Sequence, residues 1–478
     1  MQSGQHGLKR DLRLRDLVPM QIAVVTYVGW IGFAAKQGPT QVALWMLAIL
    51  LFYVPLAVVV ISLSRQIPVE GGVYQWVKAG ASPFAGYLAA WNLTIYALFA
   101  FATVGSVIAA SFAYASGSTG GWLGTSKLFA VSMMGIACVI SYLFNVRGLR
   151  VTTFWSHAGT ATSGLCIVVL VCLLIKAWIA GAPLARQSFS LAIPAFSLLT
   201  LNVFTKMSIG ALSGFDSSAI FAEECRKPQN DVAKSVLIAA PLIALIYILG
   251  TSSMLAYVTP ADAELASPVA QVVQLGFGAR GHSATVTMLV AVLVSVAFIA
   301  SMVIFIGAVS RLPMVAGWDG LLPAWWSDLH PRYRTPSKAI GLVVLVILVI
   351  SALALIGAGN EEALQVAVAA SGAGLSVMYS LLFGTVLFGF RGADVRLGAG
   401  VRCVALPAFG VALAALCLEA FPVGRVANVK IFGIKVLVSL VCANALGAYL
   451  YWMGARRAAA SRIASARKIP TQLGPPRS

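Results

Sequence analysis

The sequence predicts an all-α integral membrane protein of about twelve transmembrane helices, two of them broken near the middle of the membrane. Three observations carry this. Of 478 residues, 60% are hydrophobic and only 10% charged, and the mean hydropathy is +0.91, far outside the range of soluble globular proteins. Apolar runs of about 20 residues recur along the chain, each long enough to cross ~30 Å of hydrocarbon as a helix, and no alternating ten-residue pattern suggests a barrel. Two of these runs carry glycines and small polar residues at their centres.

Residues 1–16 are polar and are expected to form a cytoplasmic N-terminal segment, with no small-residue cleavage site to mark a removable signal peptide. The apolar region runs from 17 to 453. Its first five runs, 17–36, 42–64, 83–113, 126–145 and 150–180, make one unit (17–180). The next five, 197–222, 232–258, 284–310, 338–357 and 363–390, make a second (197–390), and runs at 402–421 and 431–453 follow. Residues 454–478 hold Arg, Ala, Ser and Pro without an apolar face, and a disordered basic tail is expected. The loop after the second run, with Pro68, Gly71, Gly72 and Pro83, should turn around a short amphipathic segment that puts Tyr74 and Trp76 at interfacial depth.

The first run reads VTYVGWIGF, with Gly29 and Gly32 on either side of Trp30, and the sixth reads KMSIGALSGFDSS. Gly210, Ser213 and Gly214 lower helix propensity there, and Asp216 puts a carboxylate at hydrocarbon depth. Backbone that unwinds inside a bilayer is tolerated where it faces a cavity or a ligand. If the two five-helix units are related by inverted topology, the first and sixth helices correspond and their breaks meet near the midplane. The bland alternatives stay open: the glycines as close helix-packing contacts, and Asp216 as a carboxyl capping the restarted helix through Ser217, Ser218 or nearby backbone.

The net charge of +18 would suggest nucleic acid in a soluble protein, but its distribution argues against that partner. With these spans, about 24 of the 33 Lys and Arg residues fall on one side and about six on the other. By the positive-inside pattern both termini are cytoplasmic, in a plasma membrane or a bacterial inner membrane, with the basic excess facing anionic inner-leaflet lipid. The seven cysteines are odd in number and mostly lie within apolar runs, as small core residues without a disulfide framework.

Four stretches in order resemble the amino acid, polyamine and organocation (APC) permeases, over about 440 residues from Leu8 to roughly Tyr451. PVEGGVYQW resembles the family's loop after the second helix, and SPFAGYLAAW its entry to the third. SGFDSSAIFAEECRKPQNDVAKSV resembles the sixth helix and its exit, and SRLPMVAGWDGLLPAWWSDLHPRYRTPSKAI the loop after the eighth. The resemblance implies the five-helix inverted-repeat, leucine-transporter-type fold and a secondary transporter of an amino acid or related small amine, by symport or antiport. Three departures stand out. Gly29, Trp30, Ile31 and Gly32 replace the usual Gly-x-Gly, Ser62 stands where an acid is common, and Gly210 stands where many relatives have an aromatic gate, leaving a roomier or differently gated site.

At each break, one half-helix presents free N–H groups and the other free carbonyls, and an amino acid zwitterion fits both. The carboxylate is expected near the N–H groups of Gly32 and Phe33, and the ammonium near carbonyls around Tyr27, Gly210 and Ser213. Asp216 would hold an amine or carry a proton. By resemblance, Ser163 takes the place of a fifth-helix lysine, and Ser301 aligns with a sodium-binding hydroxyl. The pair is a possible all-oxygen sodium site, with mere packing or i−4 back-bonding as the alternative. The coupling ion is Na+ or H+, and no other cofactor is implied. Phe101 and Phe305 are expected to wall the pocket. Lys176 and Lys206 are expected to snorkel toward the outer interface, which Glu419 could also reach. Glu223 and Glu224 are read as salt-bridged residues at the exit of the sixth helix.

Two rivals remain: a polyamine or organic-amine exchanger using Asp216 for an ammonium, and a non-transporting nutrient sensor on a permease scaffold. No enzyme is indicated, since no metalloprotease, nucleophile-elbow or phosphate-loop motif occurs, and His6, His157, His282 and His330 are scattered. No segment specifies an oligomeric state.

Overall fold

The computed structural model describes residues 12–467 apart from Glu70, 185–188, 221–224, 278–282, Asp319, 355–359, 391–394, Arg396 and Arg425. Glu223 and Glu224 therefore lie outside the described residues. Among those described, ten helices are long and apolar enough to cross a membrane, and two further passes are built from half-helices. Span 1 consists of 1a (Leu14–Val25) and 1b (Trp30–Ala35). Spans 2 to 5 are Gly38–Gln66, Pro83–Gly117, Lys127–Arg147 and Thr152–Ile179. Span 6 consists of 6a (Leu198–Lys206), a π-helical turn (Met207–Ala211) and 6b (Phe215–Ile220). Spans 7 to 12 are Asn230–Leu255, Ala284–Pro313, Ser337–Ala354, Glu361–Phe388, Ala399–Leu418 and Val429–Arg457.

The packing obeys an exchange of each span with the one five later. Span 3 packs on span 10, and correspondingly span 8 packs on span 5; span 4 packs on 8, and 9 on 3; span 1 packs on 7, and 6 on 2. That is the contact pattern of two five-helix units related by a pseudo-two-fold axis, and it brings breaks 1 and 6 together at the centre.

On the side of the termini the two broken spans are tied at their ends. Leu12 and Cys225 form a parallel bridge, and the Arg226 N–H donates to the Leu12 carbonyl at 3.0 Å. The loop after span 2 lies under 6b, where Gly71 N–H donates to the Ile220 carbonyl at 3.4 Å. Gly72 sits there with φ +42°, and a side chain on it would come within 3.1 Å of the backbone at Ala219 and Ile220. The helix that follows (Val73–Gly80) does not lie at the interface as its sequence suggests: Tyr74 and Trp76 are fully buried, and the Trp76 indole donates to the Ile67 carbonyl at 3.1 Å. Those aromatics plug the bundle rather than anchor it.

The last helix continues as Val429–Arg467, well into the tail expected to be disordered. The segment ARRAAASRIASAR is rich in Ala and Arg and has no proline before Pro470, so helix propensity carries it on without an apolar face. The seven cysteines are free. Cys138, Cys166 and Cys225 are buried, but Cys172, Cys403, Cys417 and Cys442 are exposed on the bundle perimeter instead of lying in the core.

Candidate functional site

Helix 1a stops at Val25, one turn earlier than its glycines suggest. Thr26 leaves the helical region with ψ 68°, and the chain turns through Tyr27, Val28 and Gly29 before 1b begins. A break exposes the last carbonyls of one half and the first N–H groups of the next. Most of them find partners. The Ile22 carbonyl accepts from Thr26 N–H (2.9 Å), Ala23 from the Ser301 hydroxyl (2.5 Å), and Val25 from the Tyr247 hydroxyl of span 7 (2.5 Å). The Tyr27 carbonyl accepts from Trp30 N–H at 3.1 Å, and Gly32 N–H donates to the Gly29 carbonyl at 3.1 Å. Among the described residues, the groups left unpaired at this break are the carbonyls of Val24 and Thr26 and the N–H groups of Val28 and Gly29. The free carbonyls of Val24 and Thr26 therefore lie just before the expected Tyr27, and the free donors about four residues before the expected Gly32 and Phe33, because the helix ends before Gly29 rather than between Gly29 and Gly32.

Gly32 has a different use. A side chain there would overlap the backbone carbonyl of Glu264, so Gly32 is the seat on which the loop after span 7 closes over 1b. Gly32→Ala should hold that loop off. Overpacking of this kind costs about 1–3 kcal/mol, enough to shift a closed-to-open ratio by roughly 5- to 150-fold. The check is labelling of a cysteine at position 103 (Thr103→Cys, in a cysteine-free background) from the side opposite the termini; an unchanged rate would refute the seating role.

A small cavity of about 30 Å³ lies against the first break, bounded by Val24, Tyr27, Trp30, Tyr96, Ala100, Phe101, Thr103, Ser301, Val368 and Ser371. It has room for about a water molecule or two. Spans 1, 3, 8 and 10 all contribute. Span 3 is itself interrupted here: its helix ends at Phe101 and resumes at Val104, with the Thr103 hydroxyl donating to the Ala100 carbonyl at 2.7 Å and facing the Tyr27 hydroxyl at 3.5 Å. Phe101 is a wall as expected. Phe305 stands in a second row, 5.6 Å from the Phe101 ring and 5.2 Å from that of Tyr96. Phe33 packs 5.1 Å from Trp30, and Tyr27 stands edge-on to Phe298 at 4.4 Å.

Gly210 does not leave the site roomier. The Trp30 indole lies so close over it that a side chain at 210 would overlap the ring. The aromatic that is missing from span 6 is supplied by span 1.

At the second break, Gly214 has φ +111°, and its N–H donates to the Tyr379 hydroxyl of span 10 at 3.2 Å. That hydroxyl donates in turn to Asp216 Oδ1 at 2.7 Å. Asp216 is fully buried, and its Oδ2 has no hydrogen-bond partner among the described residues. Ser213 reaches the Gly210 carbonyl with a long 3.5 Å contact. Tyr379 and Tyr247 are residues that sequence reading missed; each looks like an ordinary aromatic in an apolar run.

Both serines of the possible ion site are buried. Ser301 borders the cavity and donates to both the Ala23 and Ala297 carbonyls, whereas Ser163 is buried without a hydrogen bond among the described residues. The hydroxyl of span 5 that reaches span 1 is Thr160, 2.8 Å from the Pro19 carbonyl.

Lys206 and Glu419 do not reach an interface. They form a buried ion pair between 6a and the end of span 11, each side chain 3% exposed, with Gly372 of span 10 against the carboxylate. Lys176 is exposed and donates to the Gly276 carbonyl at 2.7 Å, capping the short helix Pro268–Phe277.

The chain is similar to an uncharacterized transporter of Legionella pneumophila, 26% identical over 69% of this chain and 70% of the relative. It is also similar to the aspartate/glutamate permease AcaP of Lactococcus lactis, 23% identical over 46% of each chain, so less than half of that relative's length is spanned. Among solved structures, MhsT in complex with L-phenylalanine superposes with a TM-score of 0.61 at 13% identity, covering 86% of this chain and 99% of that one, which shows a shared fold. The family model for amino acid permeases matches residues 12–453. That stretch takes in both broken spans and every wall of the cavity between them, and the chain belongs to the amino acid permease family.

Proposed function

We propose that this permease carries a small α-amino acid or a closely related amino compound across the membrane by alternating access, coupled to protons. The observation that carries the reading is the first break. Unpaired carbonyls at Val24 and Thr26 and unpaired N–H groups at Val28 and Gly29 belong to the break that borders a small cavity through Val24, Tyr27 and Trp30, two acceptors for an ammonium and two donors for a carboxylate. The helix dipoles have the matching signs, negative at the end of 1a and positive at the start of 1b. Aromatic walls at Tyr27, Trp30, Tyr96 and Phe101 suit an ammonium face-on, in a cavity that has to widen to admit a substrate.

Asp216 supports the proton. It is a buried carboxyl that accepts from the Tyr379 hydroxyl and from backbone N–H groups of Gly214 and Asp216 and keeps one oxygen, Oδ2, without a hydrogen-bond partner among the described residues, a group that can take up and release a proton as the site opens and closes. The Ser301 hydroxyl already donates to the Ala23 and Ala297 carbonyls, which supports a proton over sodium. The free Asp216 oxygen also favours a second reading, an exchanger of carboxylate-free amines.

The test is uptake into proteoliposomes for a panel of amino acids and polyamines, under a pH gradient or a sodium gradient. A gradient of ~1 pH unit supports roughly tenfold accumulation if about one proton moves per substrate. Asp216→Asn should keep counterflow exchange and lose that accumulation. Uptake driven by sodium alone, or an Asn variant that still accumulates, would remove the proton; no movement of any amino compound would favour the sensor.

A further inference from the structure

A groove of about 390 Å³ runs along the bundle perimeter between spans 3, 9 and 12, closed at one end by Leu322 and Trp326 of the loop before span 9. It follows residues 87–99 of span 3, 342–350 of span 9 and 443–450 of span 12. At ~1.5 Å per residue these stretches are roughly 10–18 Å long, about half of the ~30 Å hydrocarbon core. Tyr87 lies just inside the start of span 3, Leu342 just inside the start of span 9, and Leu450 close to the end of span 12. All three ends are on the side of the termini, so the groove occupies the depth of that one leaflet. Its wall is open to the bilayer at Leu446, which is 53% exposed.

The groove is apolar except at its mouth. Trp91 directs its indole N–H to the Ala443 carbonyl (2.8 Å), and Thr94 its hydroxyl to the Ala90 carbonyl (3.0 Å). Tyr87 is different: it is 3% exposed, and its hydroxyl has no hydrogen-bond partner among the described residues. A buried phenol without an acceptor is costly unless something supplies one. On span 12 the groove-facing residues Ala443, Leu446 and Leu450 continue at helical spacing to Gly454 and Arg457. Gly454 is pressed against the Leu321 backbone, which fixes this end of the helix, and Arg457 is exposed one turn beyond it.

The geometry points to a binding site for one anionic glycerophospholipid of the leaflet on the side of the termini. An acyl chain fills the groove, an ester or phosphate oxygen accepts from the Tyr87 hydroxyl, and the phosphate faces Arg457. A transmembrane helix is a poorer occupant, because it is ~10 Å across and needs a face along the whole span rather than one leaflet.

The experiment uses the full chain, purified in detergent and returned to nanodiscs of phosphatidylglycerol or phosphatidylcholine, some with brominated acyl chains. Wild type should retain roughly one phospholipid per chain through washing and prefer phosphatidylglycerol about fivefold, the worth of one arginine near a headgroup. Brominated chains should quench Trp91 and Trp326. Val346→Trp, which fills the groove, should lose the retained lipid. Arg457→Gln should equalise the two headgroups while keeping the chain, and Tyr87→Phe should speed lipid loss; both keep the test decisive if Val346→Trp misfolds. No retained lipid, equal headgroup preference in wild type, or cross-linking of two copies through this face would overturn the proposal.

Discussion

Lys206→Met is expected to destabilise the protein by about 3–5 kcal/mol, because it leaves the Glu419 carboxylate buried without its counter-charge. Replacing both partners removes the uncompensated charge, so Lys206→Met with Glu419→Met should recover most of the loss or all of it. A melting series on the wild type, both single variants and the double variant measures the cycle. Two single losses that simply add in the double variant would show that the pair does not act as a unit. The location of the pair gives the cycle a mechanical meaning. One turn before Lys206, the Asn202 side chain donates to the Phe421 and Pro422 carbonyls at 2.9 and 3.3 Å. Two successive turns of 6a are thus fastened to the end of span 11. The half of span 6 opposite the termini is held to the bundle wall, while the other half, 6b, is tied to the N-terminal segment through Cys225 and Arg226. A rocking motion that moves span 6 as one piece would have to break one of these attachments. Motion divided at Leu212 to Gly214 breaks neither.

The fold was legible because the bilayer acts on every residue of a span. Length and apolarity are demanded of about 20 consecutive positions, so a few errors do not hide the signal. The places where the helices fail were legible from Gly210, Ser213 and Gly214 for the same reason: small residues stand out in a run of Leu, Val and Ile. What those breaks hold was less legible. Whether a carbonyl is free depends on where the helix stops to within a turn, and 1a stops at Thr26, a residue with no strong breaking tendency, under the influence of Tyr247 and Ser301 from distant spans. Lys206 and Glu419 were both visible as charges, but hydropathy does not tell a side chain facing lipid from one facing a partner 213 residues away. The same blindness put Tyr74 and Trp76 at the interface when they are core.

Gly210→Ala is expected to reduce transport by about a hundredfold with little effect on expression, since the added methyl group occupies the position of the Trp30 indole, and displacements of ~1 Å at a binding site can cost that much. The steric argument can be isolated. The overlap involves the outer, six-membered part of the indole, atoms Cη2, Cζ2 and Cζ3. Trp30→Phe shortens the ring there, so adding it to Gly210→Ala should restore part of the activity, although Trp30→Phe alone lowers it by enlarging the cavity. A coupling of about 2 kcal/mol, roughly thirtyfold in rate, lies within the range for residues in contact. Multiplicative losses in the double variant would mean that Gly210 serves the backbone of the π turn and not the ring. The side-chain range of the substrate supplies an independent readout. Trp30→Phe leaves more room beside Tyr27 and Phe101, so it should extend transport to larger side chains, and adding Gly210→Ala should narrow the range again. Size selectivity would then be set by a contact between the two broken helices, and that contact can form only when both halves of the site have come together.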